Sequence, residues 1–277
     1  MDPVLQALIM GLVQGLTEFL PVSSSGHLII LPELLGWDDP FIDSLAFSVM
    51  LHIATLVALL GYFRADWLRL VPAGLAALRD RSFRGDPDRR LAWLLALTTI
   101  PAIVAGVLLN DPIEGAFREA RLVAVTLVIG AAVLWLADRW GAQDRGIGEL
   151  GFGAALGIGA AQALALVPGL SRSGISISAG LFAGLSREAA ARFSFLMATP
   201  ITALAGAWEV RKLVIGEAGV DVSIAPLVVG MVAALVSGVA AIAILLRFLR
   251  TNSLSVFIVY RVALAAVIVT WWLNVGG

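Results

Sequence analysis

The sequence contains no cysteine, which excludes disulfide bonds, thiolate metal sites and cysteine nucleophiles. Charged residues are scarce at 14%, against roughly 25% in a typical soluble domain. No Lys or Arg precedes Arg64, which argues against a cleaved signal peptide, because such peptides begin with positive charge. The net charge of −1 gives no sign of nucleic acid binding, and we expect no nucleic acid partner.

Apolar residues are abundant instead: 60% of the chain is hydrophobic and the mean hydropathy is +0.94. A helix needs about 20 apolar residues to cross the hydrocarbon core. Six segments meet this requirement, and tryptophans cluster near their ends, as in an interfacial aromatic belt. We therefore predict an all-α integral membrane protein, a single membrane domain over residues 1–277. The predicted spans are 44–63, 91–109, 121–137, 190–207, 225–247 and 253–275.

Two further apolar stretches, 4–20 and 150–167, each run into a Ser/Gly/Pro segment and then into a shorter apolar piece. The second pieces have only about a dozen residues, too few to span a bilayer. Helices broken in this way can enter and leave on the same side when protein or water surrounds the break. We predict two re-entrant broken-helix segments, although hydropathy leaves open that 4–20 spans fully.

The two broken segments match each other when the chain is aligned with itself. Each half then holds one broken segment and three predicted spans, and because three is odd the second half must enter from the opposite face. The sequence thus predicts an inverted-topology repeat, 1–138 and 150–277, with its site where the broken helices meet. Chance similarity between Gly/Ala/Leu-rich stretches is the alternative. The matched pairs are Gln14 with Gln162, Ser23 with Ser171, Ser25 with Ser173, and Gly26 with Gly174.

The distribution of positive charge predicts the orientation. Residues 64–90 are rich in arginine and are predicted to form a cytoplasmic basic loop, which places both termini outside. Few basic residues then face outward. These are Arg118, Arg121, Arg211 and Lys212.

The first broken segment carries reactive groups. Gln14 and Glu18 are four residues apart and share one helix face. Pro21 interrupts the helix, and the following serines can cap a new helix that begins near Ser24. The N-terminus of that helix is an anion site, and His27 lies in its first turn.

The second segment has the same design, with Ser171, Ser173 and Gly174 at matching positions, and it adds Arg172. An arginine inside a membrane segment costs about 2.5–3.5 kcal/mol on insertion scales and marks a candidate functional site. A guanidinium group also binds phosphate oxygens well, because it can donate two parallel hydrogen bonds. In the self-alignment Arg172 falls on Ser24, so we expect these two residues to face each other.

Together the two segments predict a phosphate site with acid–base groups. The predicted catalytic residues are Glu18, Ser24, His27 and Arg172, with either Ser24 or His27 as the nucleophile. Glu18 would orient or deprotonate the nucleophile, or hold a divalent cation; a purely structural pairing with Arg172 is the alternative. The predicted phosphate-binding residues are Gln14, Ser23, Ser25, Gly26, Ser171, Ser173 and Gly174.

Two other polar residues lie in predicted spans. We interpret His52 as a structural, hydrogen-bonded histidine, because a lone membrane histidine is usually one. Arg261 lies inside the last predicted span, where it could pair with a helix end or a carboxylate. The sequence assigns it no sharper role.

The runs Gln14–His27 and Pro168–Ser176 resemble the two signatures of the bacterial undecaprenyl-diphosphate phosphatase family, the bacitracin-resistance type. The resemblance covers essentially the whole chain. It implies a bacterial plasma-membrane enzyme that hydrolyses undecaprenyl diphosphate, recycles the lipid carrier for cell-wall synthesis and confers bacitracin resistance. It also implies a site facing the periplasm or cell exterior, and a divalent cation, Mg²⁺ or Ca²⁺, that supports activity.

Carried over by position, the family's motif residues fall on Glu18, Ser23, Ser24, His27 and Arg172. The family often has Glu where this chain has Gln14, which leaves Glu18 as the one carboxylate in either signature. The rival hypothesis is a polyprenyl-phosphate flippase or anion transporter on the same inverted-repeat fold. The expected partners are the lipid substrate and the bilayer, and a homodimer is left open.

Overall fold

The computed structural model describes residues 1–83, 85–116, 119–214 and 222–275, and regular structure within them is helical. Short 3₁₀ turns lie at Ile147–Glu149 and Leu164–Leu166. The α-helices are α1 (Pro3–Phe19), α2 (Ser24–Leu35), α3 (Leu45–Tyr62), α4 (Arg64–Asp80), α5 (Pro87–Ala116), α6 (Ala120–Trp140), α7 (Phe152–Ala163), α8 (Arg172–Phe182), α9 (Arg187–Val214), α10 (Ile224–Phe248) and α11 (Ser255–Val275).

Among the described residues, 6 helices are long and apolar enough to cross a membrane, namely α3, α5, α6, α9, α10 and α11. They coincide with the six predicted spans, which are thereby confirmed. The chain is a multi-pass membrane protein.

The segment 64–90 was predicted as a loop, and this prediction is wrong for most of its length, because residues 64–80 form α4. Apolar side chains recur every three or four residues along α4, which is the helical period. They are exposed, as expected for an amphipathic helix that lies along a membrane surface. These side chains are Leu68, Val71, Leu75 and Leu78. The side chains of Arg84, Arg118 and Lys212, which contribute to the predicted charge bias, lie outside the described residues.

The two broken segments have matching local structure. In the first, α1 ends at Phe19 and α2 begins at Ser24; in the second, α7 and its 3₁₀ turn are followed by α8. Ser23 and Ser171 cap α2 and α8 with φ angles of 75° and 70°, and their hydroxyls accept from the N–H groups of Gly26 and Gly174. Non-glycine residues rarely adopt such angles, so the same strained turn occurs in both halves. The inversion of one half relative to the other stays a prediction.

The first broken segment is held in place by close packing of α1 on α10. A Cβ added to Gly15 would lie 2.0 Å from Ser237 Oγ and 2.4 Å from the carbonyl oxygen of Ala234. A Cβ at Gly11 would lie 2.2 Å from the carbonyl oxygen of Gly230. Such small-residue contacts let membrane helices approach closely, and they set where α1 presents Glu18.

We expect Gly15→Ala to destabilise the protein, because its methyl group would overlap the backbone of α10. Overpacking typically costs about 1–3 kcal/mol. The measurement is thermal unfolding in detergent. Gly157→Ala in α7 is the matched control, since a Cβ there meets nothing within 4 Å. Equal melting temperatures for the two variants would contradict the packing argument.

Candidate active site

The carboxylate of Glu18 is the point at which the two broken segments meet. Its Oε1 accepts from the guanidinium of Arg172. Its Oε2 accepts from Ser24 Oγ at 2.6 Å and from Gln14 Nε2 at 2.9 Å. The structure thus confirms that Arg172 and Ser24 face each other, with one buried carboxylate between them.

Local structure explains why these groups converge. Gln14 and Glu18 lie on one face of α1, one turn apart, as the sequence predicted. Ser24 and Arg172 are the first residues of α2 and α8, each directly after a strained serine cap. Arg172 also donates to Thr202 Oγ1 of α9 at 2.6 Å. Nothing in the sequence marks Thr202, because it belongs to neither broken segment.

The remaining serines predicted to bind phosphate brace the two turns. Ser23 Oγ lies 3.3 Å from Ser25 Oγ, and Ser171 Oγ lies 3.2 Å from Ser173 Oγ. Ser173 also donates to the carbonyl oxygen of Leu20 at 3.0 Å, which joins one turn to the other. These contacts give Ser23, Ser171 and Ser173 a structural task in shaping the site.

The N-termini of α2 and α8 lie near each other, because their first residues, Ser24 and Arg172, both contact Glu18. The first-turn N–H groups of a helix have no intrahelical partner and carry partial positive charge. Two such ends beside an arginine make a strong anion site.

His27 has its ring nitrogens engaged elsewhere. Nδ1 lies 2.7 Å from the carbonyl oxygen of Ser23, and Nε2 lies 2.7 Å from the hydroxyl of Tyr260 in α11. The rings of His27 and Tyr260 stack with centroids 5.7 Å apart. A ring that donates from Nδ1 to a carbonyl accepts at Nε2, so Tyr260 donates to His27. The structure therefore does not bring His27 to Glu18.

His52 of α3 is the histidine that reaches Glu18. Its Nε2 lies 3.5 Å from Glu18 Oε2, and its side chain is 31% exposed. Its Nδ1 lies 2.8 Å from the carbonyl oxygen of Ser48, one turn earlier in α3. The interpretation of His52 as only structural is therefore incomplete.

Arg261 is fully buried and braces both broken segments. Its Nη1 donates to the carbonyl oxygen of Pro21 at 3.2 Å, in the first break. Its Nη2 donates to the carbonyl oxygens of Gly169 at 2.8 Å and Leu170 at 3.1 Å, in the second. Its Nε donates to Leu127 of α6 at 3.1 Å. Backbone carbonyls in a break need partners inside a bilayer, and one guanidinium supplies them to both breaks.

A cavity of about 640 Å³ reaches His52, which lies 3.5 Å from the carboxylate of Glu18. Ser25, Ser44, Ser48 and His52 line its polar part, together with the carboxylates of Glu33 in α2 and Asp43 in the loop between α2 and α3. Partial burial, followed by the charges of Asp39 and Asp38, raises the pKa of Asp43. The apolar part of the lining includes Met10, Leu28, Ile29, Trp37, Phe47 and Leu51.

The residues around Glu18 do not fit a resident metal ion. Both carboxylate oxygens already accept from donors, and one of these is the cationic Arg172. Within the part of the chain that the structure describes, no three His, Asp or Glu residues are grouped as metal ligands. A divalent cation needs several oxygen ligands, so Glu18 in this arrangement is not a metal ligand.

Comparison with known proteins identifies the family. The model for the bacitracin resistance protein BacA family matches residues 7–267. The chain belongs to this family. An undecaprenyl-diphosphatase of Thermomicrobium roseum is 46% identical, with 96% of each chain covered. Undecaprenyl-diphosphatases of Gemmatimonas aurantiaca and Moorella thermoacetica are 45% and 44% identical, over 96% and 98% of this chain and 96% and 99% of theirs.

Family membership confirms the resemblance seen in the two polar runs. The matched region includes both broken segments and all the residues that meet at Glu18, and it reaches Arg261 and Tyr260 in α11. The site described above is therefore built from the part of the chain that is shared with the family.

Proposed function

We propose that this protein hydrolyses undecaprenyl diphosphate to undecaprenyl phosphate and inorganic phosphate. The observation that carries the proposal is the contact of a serine hydroxyl and an arginine with one carboxylate, at the meeting point of two helix N-termini. A nucleophile, a base and a cluster of anion-binding groups are what phosphoryl transfer requires. The relatives named above are undecaprenyl-diphosphatases by name.

Ser24 is the proposed nucleophile. Its hydroxyl already donates to Glu18 Oε2 at 2.6 Å, so the carboxylate can take the proton as Ser24 Oγ attacks the terminal phosphorus. The bond from Ser24 Oγ to phosphorus forms, and the bond from phosphorus to the bridging oxygen breaks. The electron pair stays on the bridging oxygen, and the lipid monophosphate leaves.

Arg172 has a different partner before and after the substrate enters. Without substrate its charge is balanced by Glu18. In the complex the phosphoryl oxygens, with more negative charge, compete for the guanidinium, and the first-turn N–H groups of α2 and α8 that the serine caps do not engage add further donors. Releasing Glu18 from Arg172 also makes the carboxylate a stronger base, so substrate binding prepares the proton transfer.

Water then attacks the phosphorus of the phosphoserine and loses one proton to a base other than Glu18, which is still protonated. The bond from phosphorus to Ser24 Oγ breaks, and Glu18 returns its proton to that oxygen. Inorganic phosphate leaves through the cavity. The cavity reaches Ser25, the neighbour of Ser24, and His52, which lies 3.5 Å from Glu18, and its apolar lining is suited to a prenyl chain.

A divalent cation that supports the activity would bind to the diphosphate rather than to a site on the protein. The donors around Glu18 leave no set of ligands for a resident ion, whereas diphosphate oxygens are good ligands for Mg²⁺ and Ca²⁺. No step above depends on the ion.

We place the protein in the bacterial plasma membrane with its cavity open to the cell exterior or periplasm. The charge bias puts residues 64–90 in the cytoplasm, and the loop between α2 and α3, which lines the cavity, then lies on the other side. A homodimer stays a prediction. A lipid flippase or anion carrier is not favoured, because the named relatives are diphosphatases.

The experiment measures phosphate release from undecaprenyl diphosphate by purified protein in detergent. Arg172→Ala should reduce release by about 10³-fold or more, because it removes the charge that stabilises the transferring phosphoryl group. Arg250→Ala is the matched control: Arg250 also pairs with a glutamate, Glu188 at 2.9 Å, outside the site. The control should release phosphate at the wild-type rate.

Full activity of Arg172→Ala would overturn the site. Lipid movement across liposomes by the wild-type protein, with no phosphate released, would overturn the proposed reaction and support the carrier instead.

A further inference from the structure

We propose that His52 is the base that activates the water molecule for hydrolysis of the phosphoserine. This step rests on the proposed function and deepens it, because the first half-reaction uses Glu18 and leaves that carboxylate protonated. A protonated carboxyl group cannot accept a second proton from water. A second base is needed beside it.

The geometry around His52 fits this task. The carbonyl oxygen of Ser48, 2.8 Å from Nδ1, fixes the ring proton on that nitrogen, because a carbonyl can only accept. In the neutral ring Nε2 is therefore the nitrogen with a lone pair. It lies 3.5 Å from Glu18 Oε2, longer than a normal hydrogen bond, so it is not tied to the carboxylate.

His52 is also placed where water and substrate meet. Its side chain is 31% exposed, while that of Glu18 is 5% exposed. It lines the cavity together with Ser25, the residue after the nucleophile. Ser24 Oγ and His52 Nε2 both lie within 3.5 Å of the same oxygen of Glu18. A phosphoryl group on Ser24 would thus be within reach of a water molecule held by His52.

Every proton that moves in the hydrolysis of the phosphoserine has a donor and an acceptor. As water attacks, its oxygen bonds to phosphorus and its proton moves to His52 Nε2. The bond from phosphorus to Ser24 Oγ breaks, and Glu18 gives its proton to that oxygen. Glu18 becomes a carboxylate at the moment when His52 becomes a cation 3.5 Å away, so each transfer favours the other. His52 then loses its proton to solvent through the cavity.

His27 does not offer this chemistry. Its Nε2 accepts from Tyr260, and its Nδ1 faces the carbonyl oxygen of Ser23, so neither nitrogen is directed at Glu18. The two histidines of the chain thus have different surroundings, and only His52 shares the cavity lining with Ser25.

The test compares wild type, His52→Gln, His52→Ala and Thr55→Val during turnover of undecaprenyl diphosphate. Phosphate release and acid-stable phosphoserine are measured in the same samples. His52→Gln should slow release by about 10²-fold or more, the usual contribution of a general base, and phosphoserine should accumulate because its formation uses Glu18. Added imidazole should restore phosphate release by the His52→Ala variant. Thr55→Val removes a hydrogen bond to the carbonyl oxygen of His52 and should behave as wild type.

Wild-type rates in His52→Gln would overturn the proposal. So would slow release without phosphoserine and without rescue by imidazole, which is the behaviour of a residue needed only for packing. Failure of the wild-type protein itself to release phosphate would overturn the proposed function, an outcome that the wild-type sample reports separately.

Discussion

Replacing Glu18 with Gln is expected to lower the rate of phosphate release by about 10²–10⁴-fold, the range for loss of a general base. The amide keeps the shape of the side chain but cannot take the proton of Ser24. The hydrogen bond that Ser24 now donates to Oε2 at 2.6 Å would persist at best as a contact with a neutral group. Release of inorganic phosphate from the lipid diphosphate measures the effect.

A second measurement separates this prediction from simple misfolding. Glu18 is the counter-ion of Arg172 in the free protein, so it competes with phosphate for the guanidinium. Glu18→Gln should therefore bind a non-hydrolysable methylene analogue of a prenyl diphosphate at least as tightly as wild type. Glu188→Gln removes a carboxylate from the ion pair with Arg250, outside the site, and should leave the rate unchanged. A Glu18→Gln variant that binds the analogue but hydrolyses at the wild-type rate would refute the role of Glu18 as base.

Replacing Arg261 with Met should lower the free energy of unfolding more than any other substitution proposed here. The carbonyl oxygens of Pro21, Gly169 and Leu170 would lose a charged donor in a buried environment. A buried acceptor that is left without its donor costs about 1–3 kcal/mol, and Arg261 has several such acceptors. We expect a clearly lower melting temperature in detergent. We also expect loss of activity, because the two breaks position Ser24 and Arg172 beside Glu18.

The same substitution at Arg121 provides the control. Arg121 has a side chain that is 59% exposed and pairs with Glu119 at 3.2 Å. Exposed ion pairs contribute about 0–1 kcal/mol, so Arg121→Met should melt close to wild type. If Arg261→Met melted at the same temperature as Arg121→Met, the bracing role of Arg261 would be excluded.

The parts of the fold that the sequence predicted are those encoded locally. Spanning helices follow from long apolar runs, and the contact of Gln14 with Glu18 follows from their spacing on one helix. The self-alignment anticipated that Ser24 and Arg172 would meet. It succeeded because each of them follows a serine cap of the same strained form.

The parts that the sequence did not predict depend on packing between distant helices. His52 reaches Glu18 only because α3 lies beside α1, and no local pattern encodes that distance. The partners of Arg261 are three backbone carbonyls in the breaks and one in α6. Every residue has a backbone carbonyl, so the sequence does not indicate which of them bind the guanidinium. The high content of arginine in residues 64–90 predicts a loop, whereas the helix α4 is indicated only by the spacing of its apolar side chains.

The position of Arg261 near the end of the chain has a consequence for biogenesis. Membrane helices emerge from the ribosome in order, so the break after α1 is synthesised long before α11 exists. Until α11 is inserted, the carbonyl oxygens of Pro21, Gly169 and Leu170 lack their guanidinium partner. The packing of α1 on α10 is likewise delayed. The site around Glu18 is therefore completed last, and a nascent chain that stalls before α11 is inserted is expected to be membrane-bound but inactive.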